Sequence, residues 1–235
     1  MNLILLFAED FVQEGRVRLT GRRLRHVTEV HRAAAGDTLV VGVANGGIGR
    51  GEVTRLDAEA LEMQVVIERD PPPKLPLTLV LALPRPKVLN RVLASATSMG
   101  VARICLVNAW RVEKSYWHSP RLHDENVLLQ RVLGLEQARD TVLPPVTLHR
   151  LFRPFVESEL PSLSEGTRAL VAHPAAVMEC PRNVPEPVTL AIGPEGGFIE
   201  AEVESLRKVG FTPVSLGERI LRVETAVASI VGRLF

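Results

Sequence analysis

The sequence predicts an α/β protein built from two parts: a small N-terminal β-barrel and a C-terminal, mostly parallel sheet covered by helices. Three features of the 235-residue chain lead to this prediction. Short strand-like segments fill residues 1–70, a run of prolines follows at residues 71–76, and hydrophobic strands alternate with helical segments through residues 77–235. We therefore expect a β domain over 1–70, a linker over 71–76 and a second domain over 77–235.

The N-terminal strands are short, with alternating or β-branched residues and turns rich in glycine. A helical segment, Gly21–Ala34, interrupts them and places Leu24, Val27 and Val30 on one face. A closed or half-closed barrel would protect the edges of so many short strands. The glycine run at 46–51 lacks the G-x-G-x-x-G spacing, and no helical pattern follows it, so it predicts a hairpin. The predicted strands are Asn2–Phe7, Arg16–Leu19, Thr38–Val43, Gly51–Leu56 and Leu61–Ile67.

The segment Asp70–Pro76 reads DPPPKLP. Consecutive prolines cannot donate backbone hydrogen bonds to a sheet, and they favour a stiff, extended chain. This segment predicts the boundary between the two domains.

Beyond the prolines, five hydrophobic strands alternate with helices, as in a parallel sheet covered on both faces. Gly100 is expected to end the first helix, and Ser119-Pro120 to begin the second as N-cap and first helical residue. The predicted strands are Leu77–Leu83, Ala102–Val107, Arg168–Ala172, Val188–Ile192 and Val214–Leu216, and the predicted helices are Lys87–Met99, Ser119–Arg139, Phe152–Leu160, Ile199–Val209 and Val223–Phe235.

Two of these strands end in glycine corners that lead into helices. Gly193-Pro194-Glu195-Gly196-Gly197 follows the strand Val188–Ile192, and Gly217 follows the strand Val214–Leu216. Open α/β folds bind ligands at the carboxyl edge of the sheet. Because glycine has no Cβ, a planar ring or a ribose can lie close to the main chain there. Both corners, together with His173-Pro174, therefore predict a ligand site.

Composition sets the class of protein. Apolar residues make up 46% of the chain and charged residues 23%, which is ordinary for a soluble globular protein. The apolar start, Met1–Phe7, has no basic leader, and no apolar run approaches the roughly 18 residues needed to span a bilayer. Cys105 and Cys180 lie far apart, as is typical of two reduced thiols. We expect a cytoplasmic protein without a membrane partner.

Several kinds of catalytic site are disfavoured by the motifs that the sequence lacks. No G-x-x-x-x-G-K-[ST] loop and no G-x-S-x-G motif occur, and the 6 histidines are scattered without metal-ligand spacing. We therefore expect no metal ion.

Net charge is only +1, but its distribution is uneven. Residues 16–32 hold six arginines against one acidic residue, Glu29, and residues 84–121 hold seven basic residues against Glu113. Two such basic segments favour a surface that contacts phosphates. An ordinary charged surface remains the alternative for either segment.

The two corners together resemble something more specific. IGPEGGF at 192–198 and LGERILRVETA at 216–226 resemble the cofactor-binding motifs of SPOUT-class RNA methyltransferases, and within that class the RsmE type. RLRHVTEVHRAAAGD at 23–37 is similar to the PUA-like RNA-binding domain of that family, and LPRPK at 83–87 and VAHP at 171–174 also match it. The resemblance covers nearly the whole chain.

This resemblance implies a deep trefoil knot in the second domain, S-adenosyl-L-methionine as cofactor, and a homodimer formed through the knot domains. It implies methylation of N3 of a uridine in 16S ribosomal RNA, presented as RNA or in the small subunit. The residues that it assigns to the cofactor are Ala172, His173, Pro174, Ile192, Gly193, Pro194, Glu195, Gly196, Gly197, Leu216, Gly217, Ile220, Leu221, Arg222, Thr225 and Ala226.

Methyl transfer from a sulfonium requires no covalent nucleophile, but the N3 proton of uridine must be lost. Arg222 is our candidate for holding the negative charge that develops on the pyrimidine oxygens. Glu224 is our candidate base or orienting group. Each has a structural alternative: Arg222 as a surface residue, Glu224 as a partner of the helix dipole, and Glu195 and Thr225 as helix caps. His173 is expected to shape its loop.

The candidate phosphate contacts come from both basic segments. Trp110, Tyr116 and Trp117 lie beside basic residues and could stack on bases, with a core or interface role as the alternative. The proposed RNA-binding residues are Arg22, Arg23, Arg25, Arg32, Arg85 and Lys87.

Two segments depart from the family pattern. Ser98-Met99-Gly100 stands where the family has Glu-Leu-Gly, and residues 136–140 differ from its Glu-Gln-(Ser/Cys)-Gly-Arg motif. They keep open a non-catalytic RNA-binding protein with a degenerate SPOUT domain. A flavodoxin-like enzyme acting on a small molecule is a third interpretation, which the attached basic β domain disfavours.

Overall fold

Two units make up the computed structural model, which describes residues 2–235. The residues up to Pro73 form the first unit together with Val132–Leu143, and Lys74–Arg131 forms the second together with Pro144–Phe235. The segment 132–143 thus packs with the first unit although it lies within the predicted second domain. The fold class is confirmed as a mixed α/β protein with one mainly antiparallel sheet and one parallel sheet.

The first unit contains a curled six-stranded sheet in the order β1-β4-β5-β6-β3-β2. β1 and β4 run parallel, and the other neighbouring strands run antiparallel. The strands are β1 (Ile4–Leu6), β2 (Phe11–Gln13), β3 (Arg16–Leu19), β4 (Thr38–Val43), β5 (Ile48–Leu56) and β6 (Leu61–Arg69). β2 was not predicted. β5 includes part of the glycine run that was predicted as a hairpin turn. Glycine is needed at position 49 because a Cβ there would clash with the Val66 carbonyl of the neighbouring strand β6.

β1 is buried on both faces. Ile4 and Leu6 belong to the main core of the first unit. Leu3 and Leu5 point the other way and pack against the second segment of the same unit, where Leu135 is fully buried. The alternation of side chains along a strand thus places the two apolar sets on opposite faces.

The helix predicted at 21–34 divides into α1 (Gly21–His26) and a π-helical turn, Val27–His31. Leu24 is buried as predicted, but Val30 is 63% exposed. A π turn has more residues per turn than an α-helix, so Val30, which lies within this turn, is rotated off the face predicted for a regular α-helix.

The second unit contains a six-stranded parallel sheet in the order β12-β10-β11-β7-β8-β9. Its strands are β7 (Leu75–Ala82), β8 (Val101–Val107), β9 (Val146–His149), β10 (Arg168–Ala172), β11 (Val188–Ile192) and β12 (Thr212–Val214). β7 begins at Leu75, inside the stretch predicted as linker, because the proline at 76 is tolerated near the start of a strand. β9 was not predicted, and β12 ends two residues before the predicted strand does.

Helices accompany the strands of this sheet, and the part of α3 (Asp124–Ala138) from Val132 onward belongs to the first unit. The predicted start at Ser119 is a separate 3₁₀ turn, Pro120–Leu122, in which the Ser119 hydroxyl accepts a hydrogen bond from the Arg121 N–H at 3.2 Å. The helices are α2 (Pro86–Ser98), α3 (Asp124–Ala138), α4 (Phe152–Pro154), α5 (Leu160–Ser164), α6 (Glu200–Lys208) and α7 (Val223–Leu234), and a π-helical turn, Phe155–Glu159, joins α4 to α5. α2 and α7 pack together over the core.

Three strands of the parallel sheet end at the same level. Ala172, the last residue of β10, pairs with Ile192, the last residue of β11, and with Val214, the last residue of β12. The loops that follow therefore leave the sheet side by side, at its carboxyl edge.

Candidate active site

A cavity of about 320 Å³ lies among the loops after β10, β11 and β12, within the second unit. Both glycine corners contribute to it, so they are neighbours in space, as the sequence predicted. The lining residues are Arg111, Ala172, His173, Pro174, Ala175, Ile192, Gly193, Pro194, Glu195, Gly196, Gly197, Phe198, Val214, Ser215, Leu216, Gly217, Arg219, Ile220, Leu221, Val223, Ala226 and Ile230.

The loop after β11 is a tight turn that needs its glycines. The Gly197 N–H donates to the Pro194 carbonyl at 2.7 Å, and Gly197 has a φ of +71°. A Cβ on Gly193 would lie 2.7 Å from the Phe198 nitrogen. Main chain rather than side chain therefore forms much of this wall.

His173 shapes the loop after β10 through its backbone. Its N–H donates to the Val214 carbonyl at 2.9 Å, and its carbonyl accepts from the Ala176 N–H at 3.0 Å. These bonds tie the loop to the end of β12 and agree with the loop-shaping role expected of this residue.

The loop after β12 forms the third side of the cavity. Ser215 donates its N–H to the Met178 carbonyl at 2.9 Å, and Gly217 has a φ of +100°. Ile220 lines the cavity yet is 82% exposed, which places an apolar side chain at its mouth.

Of the residues assigned to the cofactor, Arg222 and Thr225 do not line the cavity. Arg222 is the exposed N-cap residue of α7, and Thr225 is exposed in its first turn. Helical spacing explains the difference, because the lining residues Val223, Ala226 and Ile230 repeat every three or four positions along one face. Arg222 and Thr225 fall beside that face.

Glu224 is engaged in an ion pair. Its carboxylate lies 3.0 Å from the Arg91 guanidinium, and its side chain is 22% exposed. Arg91 comes from α2, so this pair joins the first turn of α7 to α2. Sequence reasoning did not identify Arg91, because nothing in the linear pattern connects it with Glu224.

Arg111 is a lining residue that the sequence analysis placed only in a basic segment. Its guanidinium donates to the Gly196 carbonyl. The preceding residue, Trp110, donates its N–H to the buried Glu202 carboxylate at 2.7 Å. The other Glu202 oxygen accepts from the Ile199 N–H at 2.9 Å, so one carboxylate holds both the turn after β8 and the start of α6. The sequence feature that could have identified Arg111 as a lining residue is its position just beyond the carboxyl end of the strand β8.

The loop after β7 also contacts the glycine loop. The Glu195 carboxylate accepts a hydrogen bond from the backbone N–H of Arg85 at 2.9 Å. Burial and the nearby Glu113 carboxylate raise the pKa of the Tyr116 phenol, while a hydrogen bond with the Arg85 side chain lowers it. The net effect is a pKa of the Tyr116 phenol above its ordinary value, with burial as the largest cause.

The candidate RNA contacts separate into two kinds. The Arg22 guanidinium binds the buried Glu136 carboxylate at 2.8 and 3.0 Å. That of Arg23 binds the buried Asp10 carboxylate at 2.5 and 2.6 Å. Both thus have a place in the packing of the first unit. The exposed candidates are Arg25, Arg32, Arg85 and Lys87.

The aromatic candidates differ in exposure. Trp110 is 79% exposed, and Trp117 only 7%. Trp117 donates its indole N–H to Asn108 at 2.9 Å and lies under the Arg150 guanidinium, 5.2 Å from the ring centroid. Trp117 therefore belongs to the core, and Trp110 is free to contact a partner.

Neither thiol is poised to react. Burial raises the pKa of both Cys105 and Cys180. Across residues 2–235, no group of three or more His, Cys, Asp or Glu side chains is arranged to hold a metal ion, and no helix has the length and apolarity to cross a membrane.

Comparisons with known proteins agree on one family. A family model described as an RNA methyltransferase domain matches residues 71–234. Ribosomal RNA small subunit methyltransferase E of Treponema pallidum (strain Nichols) is 30% identical over 97% of this chain and 88% of that protein. The protein of the same name from Synechocystis sp. is 30% identical over 94% of this chain and 73% of its own length.

A solved structure shares the fold. The crystal structure of a ribosomal RNA small subunit methyltransferase E from Neisseria gonorrhoeae, bound to S-adenosyl methionine, superposes with a TM-score of 0.77. It is 22% identical to this chain and covers 97% of it and 95% of its own length. The resemblance identified from the two glycine corners is thereby confirmed. The chain belongs to the RNA methyltransferase domain family and, within it, to the ribosomal RNA small subunit methyltransferase E family.

Proposed function

We propose that this protein transfers the methyl group of S-adenosyl-L-methionine to N3 of a uridine in the 16S ribosomal RNA of the small subunit. One observation carries the proposal: three loops from neighbouring parallel strands converge on one cavity. The family relationship supplies the reaction class. The proposed specificity for N3 of uridine rests on the resemblance of the two glycine corners to those of RsmE-type methyltransferases.

The residues of the cavity fit S-adenosyl-L-methionine. Its volume of about 320 Å³ falls within the range of small-molecule sites. The glycine loop presents backbone N–H and C=O groups without Cβ atoms, which suits a ribose and the edge of an adenine. Ile192, Leu221 and Ile230 supply apolar surface for the planar ring.

Bound S-adenosyl-L-methionine would supply a methyl group whose bond to sulfur breaks with the electron pair left on sulfur, while a bond forms to uridine N3 and the N3 proton passes to solvent. The chain itself must hold the acceptor in line and stabilise the charge that N3 and the pyrimidine oxygens acquire. Arg222 and Glu224 remain our proposed catalytic residues at the start of α7. The pairing of Glu224 with Arg91 favours an orienting role for this carboxylate.

The first unit is proposed to be the RNA-binding domain, with the PUA-like barrel expected from residues 23–37. Exposed arginines there, Arg25 and Arg32, would contact phosphates. The protein would act in the cytoplasm on RNA or on the small subunit.

The second unit is proposed to be a SPOUT domain with a trefoil knot and to form a homodimer through it. Support for a threaded chain comes from the segment before β11, which contacts both the end of β12 and the end of α7. The Cys180 N–H donates to the Ser215 carbonyl at 2.8 Å, and the Val184 N–H donates to the Leu234 carbonyl at 2.7 Å.

The test uses purified protein, labelled S-adenosyl-L-methionine and small subunits lacking the modification, with mass spectrometry to find 3-methyluridine. Formation of 3-methyluridine is the expected result. Arg153→Ala is a control variant that should keep full activity. Arg153 lies exposed on α4 and pairs with Glu157 of the adjoining π turn. Cofactor binding without methyl transfer would favour the non-catalytic RNA-binding alternative, and absence of cofactor binding would favour a small-molecule enzyme.

A further inference from the structure

We infer that Arg111 is a catalytic residue whose guanidinium binds the oxygens of the target uracil as its N3 loses a proton. The inference rests on the proposed function and adds to it a group from a part of the chain outside the two glycine corners. Arg111 lies in the loop after β8, about 80 positions before the glycine loop that it contacts.

Position within the cavity distinguishes Arg111 from the other candidate cations. The acceptor base must approach a methyl group held in the cavity, so a cation on the cavity wall is well placed to stabilise the charge that the base acquires. Arg111 and Arg219 are the arginines on that wall, whereas Arg222 is not part of it. Arg219 lies on the exposed loop 217–220, whereas the Arg111 guanidinium is held by its hydrogen bond to the Gly196 carbonyl.

Arg111 is held in place before any substrate arrives. It lies in a tight turn in which the Val112 N–H donates to the Ala109 carbonyl at 3.0 Å. Ala109 is 3% exposed and Val112 is 7% exposed, so both ends of the turn are fixed in the core. Trp110, the residue before Arg111 in this turn, is held by the hydrogen bond from its backbone N–H to the Glu202 carboxylate. A donor fixed in this way need not reorganise during the reaction.

The guanidinium has donors to spare. Its five N–H groups form a planar fork, and the bond to the Gly196 carbonyl uses one nitrogen. The side chain is exposed apart from this contact, so the fork can meet a ligand entering from solvent. A uracil that loses its N3 proton carries negative charge on O2 and O4. A cation beside these oxygens lowers the pKa of the bound N3–H and raises the fraction of base ready to accept the methyl group.

The experiment measures single-turnover methylation at saturating S-adenosyl-L-methionine for wild type, Arg111→Ala, Arg111→Lys and Arg153→Ala, with the cofactor Kd obtained by calorimetry. We expect Arg111→Ala to react about 100-fold more slowly, the loss typical of one missing oxyanion donor. Arg111→Lys should recover part of that loss, and Arg153→Ala should match wild type.

A second substrate separates catalysis from structure. RNA with 5-fluorouridine at the target position has a more acidic N3–H, so it depends less on a cation. The ratio of the 5-fluorouridine rate to the uridine rate should be larger for Arg111→Ala than for wild type.

Three results would overturn the inference while wild type still makes 3-methyluridine. They are an unchanged rate in Arg111→Ala, a loss confined to the cofactor Kd, or a loss with the same ratio of the two substrate rates as wild type. If wild type makes no 3-methyluridine, the proposed function itself fails.

Discussion

The Glu195 carboxylate accepts a hydrogen bond from the backbone N–H of Arg85 at 2.9 Å, across 110 positions of sequence. This bond joins the glycine loop after β11 to the loop after β7. Glu195 therefore lines the cavity and also ties its own loop to the loop after β7.

Removing this carboxylate should loosen the glycine loop. We predict that Glu195→Ala raises the Kd for S-adenosyl-L-methionine about fivefold, because an exposed charge-assisted hydrogen bond contributes modestly. Glu195→Gln keeps an oxygen acceptor and should remain close to wild type. Calorimetric titration measures both, and equal losses in the two variants would mean that the charge matters and the hydrogen bond does not.

Gly196 should be intolerant of a side chain because of Arg111. A Cβ there would lie 2.9 Å from the Arg111 Cδ, so Gly196→Ala should displace that side chain and slow methylation about tenfold while the protein stays folded. Gly232→Ala is the matched control. Gly232 lies in α7 with no heavy atom near the added Cβ, so this change should stabilise the protein by about 0.5–1 kcal/mol and leave the rate unchanged.

Rate measurements and thermal unfolding of both glycine variants check this prediction. If Gly196→Ala methylates RNA as fast as Gly232→Ala, the contact between Gly196 and Arg111 has no role in the reaction.

We predict that Arg25 contributes to RNA binding, whereas Arg23 contributes to the stability of the first unit. Arg25 is exposed, so Arg25→Ala should reduce the magnitude of the slope of log K against log[salt] for RNA binding by about one unit, with little effect on folding. Binding titrations at several salt concentrations measure it. A slope equal to that of wild type would remove Arg25 from the RNA contacts.

Arg23→Ala should instead destabilise the first unit. Arg23 pairs with Asp10, which is only 6% exposed, and also donates to the Leu5 carbonyl at 2.8 Å. Leaving that carboxylate without its cation should cost about 3 kcal/mol of the free energy of unfolding. Urea denaturation followed by circular dichroism provides the value. A loss below about 0.5 kcal/mol, which is the usual scatter of surface substitutions, would show that the pair does not stabilise the fold.

Trp110 should report on RNA binding. Its indole is exposed, whereas that of Trp117 is buried, so RNA should quench the emission of Trp110 and leave that of Trp117 nearly constant. Trp110→Ala should weaken RNA binding about tenfold, as expected for the loss of one stacked base. Trp117→Phe is the control and should retain the quenching. Quenching that survives in Trp110→Ala would contradict this role.

Local sequence was enough to place most strands of both units. Arg16–Leu19, Thr38–Val43, Arg168–Ala172 and Val188–Ile192 have the predicted limits, because each combines a continuous or alternating apolar pattern with a glycine, proline or polar boundary. The unpredicted β9 is a short edge strand with an exposed Leu148, and such a segment carries little hydrophobic signal.

Contacts distant in sequence escaped prediction for a different reason. The pairing of Arg91 with Glu224, and that of Arg22 with Glu136, depend on how helices and loops are packed. A charged residue on a helix looks the same in sequence whether it faces solvent or a partner 100 positions away. The exposure of Val30 within a π turn likewise could not be predicted from a 3.6-residue period.

The sequence by itself determined the two-part α/β architecture, the family, and the loops that form the cavity, because these depend on local patterns of apolar residues and glycines. Only the tertiary structure decided that the ends of β10, β11 and β12 are level and that Arg111 enters the cavity while Arg222 stays outside it. The physical reason is that strand register and the direction of a side chain are set by packing against residues distant in the chain.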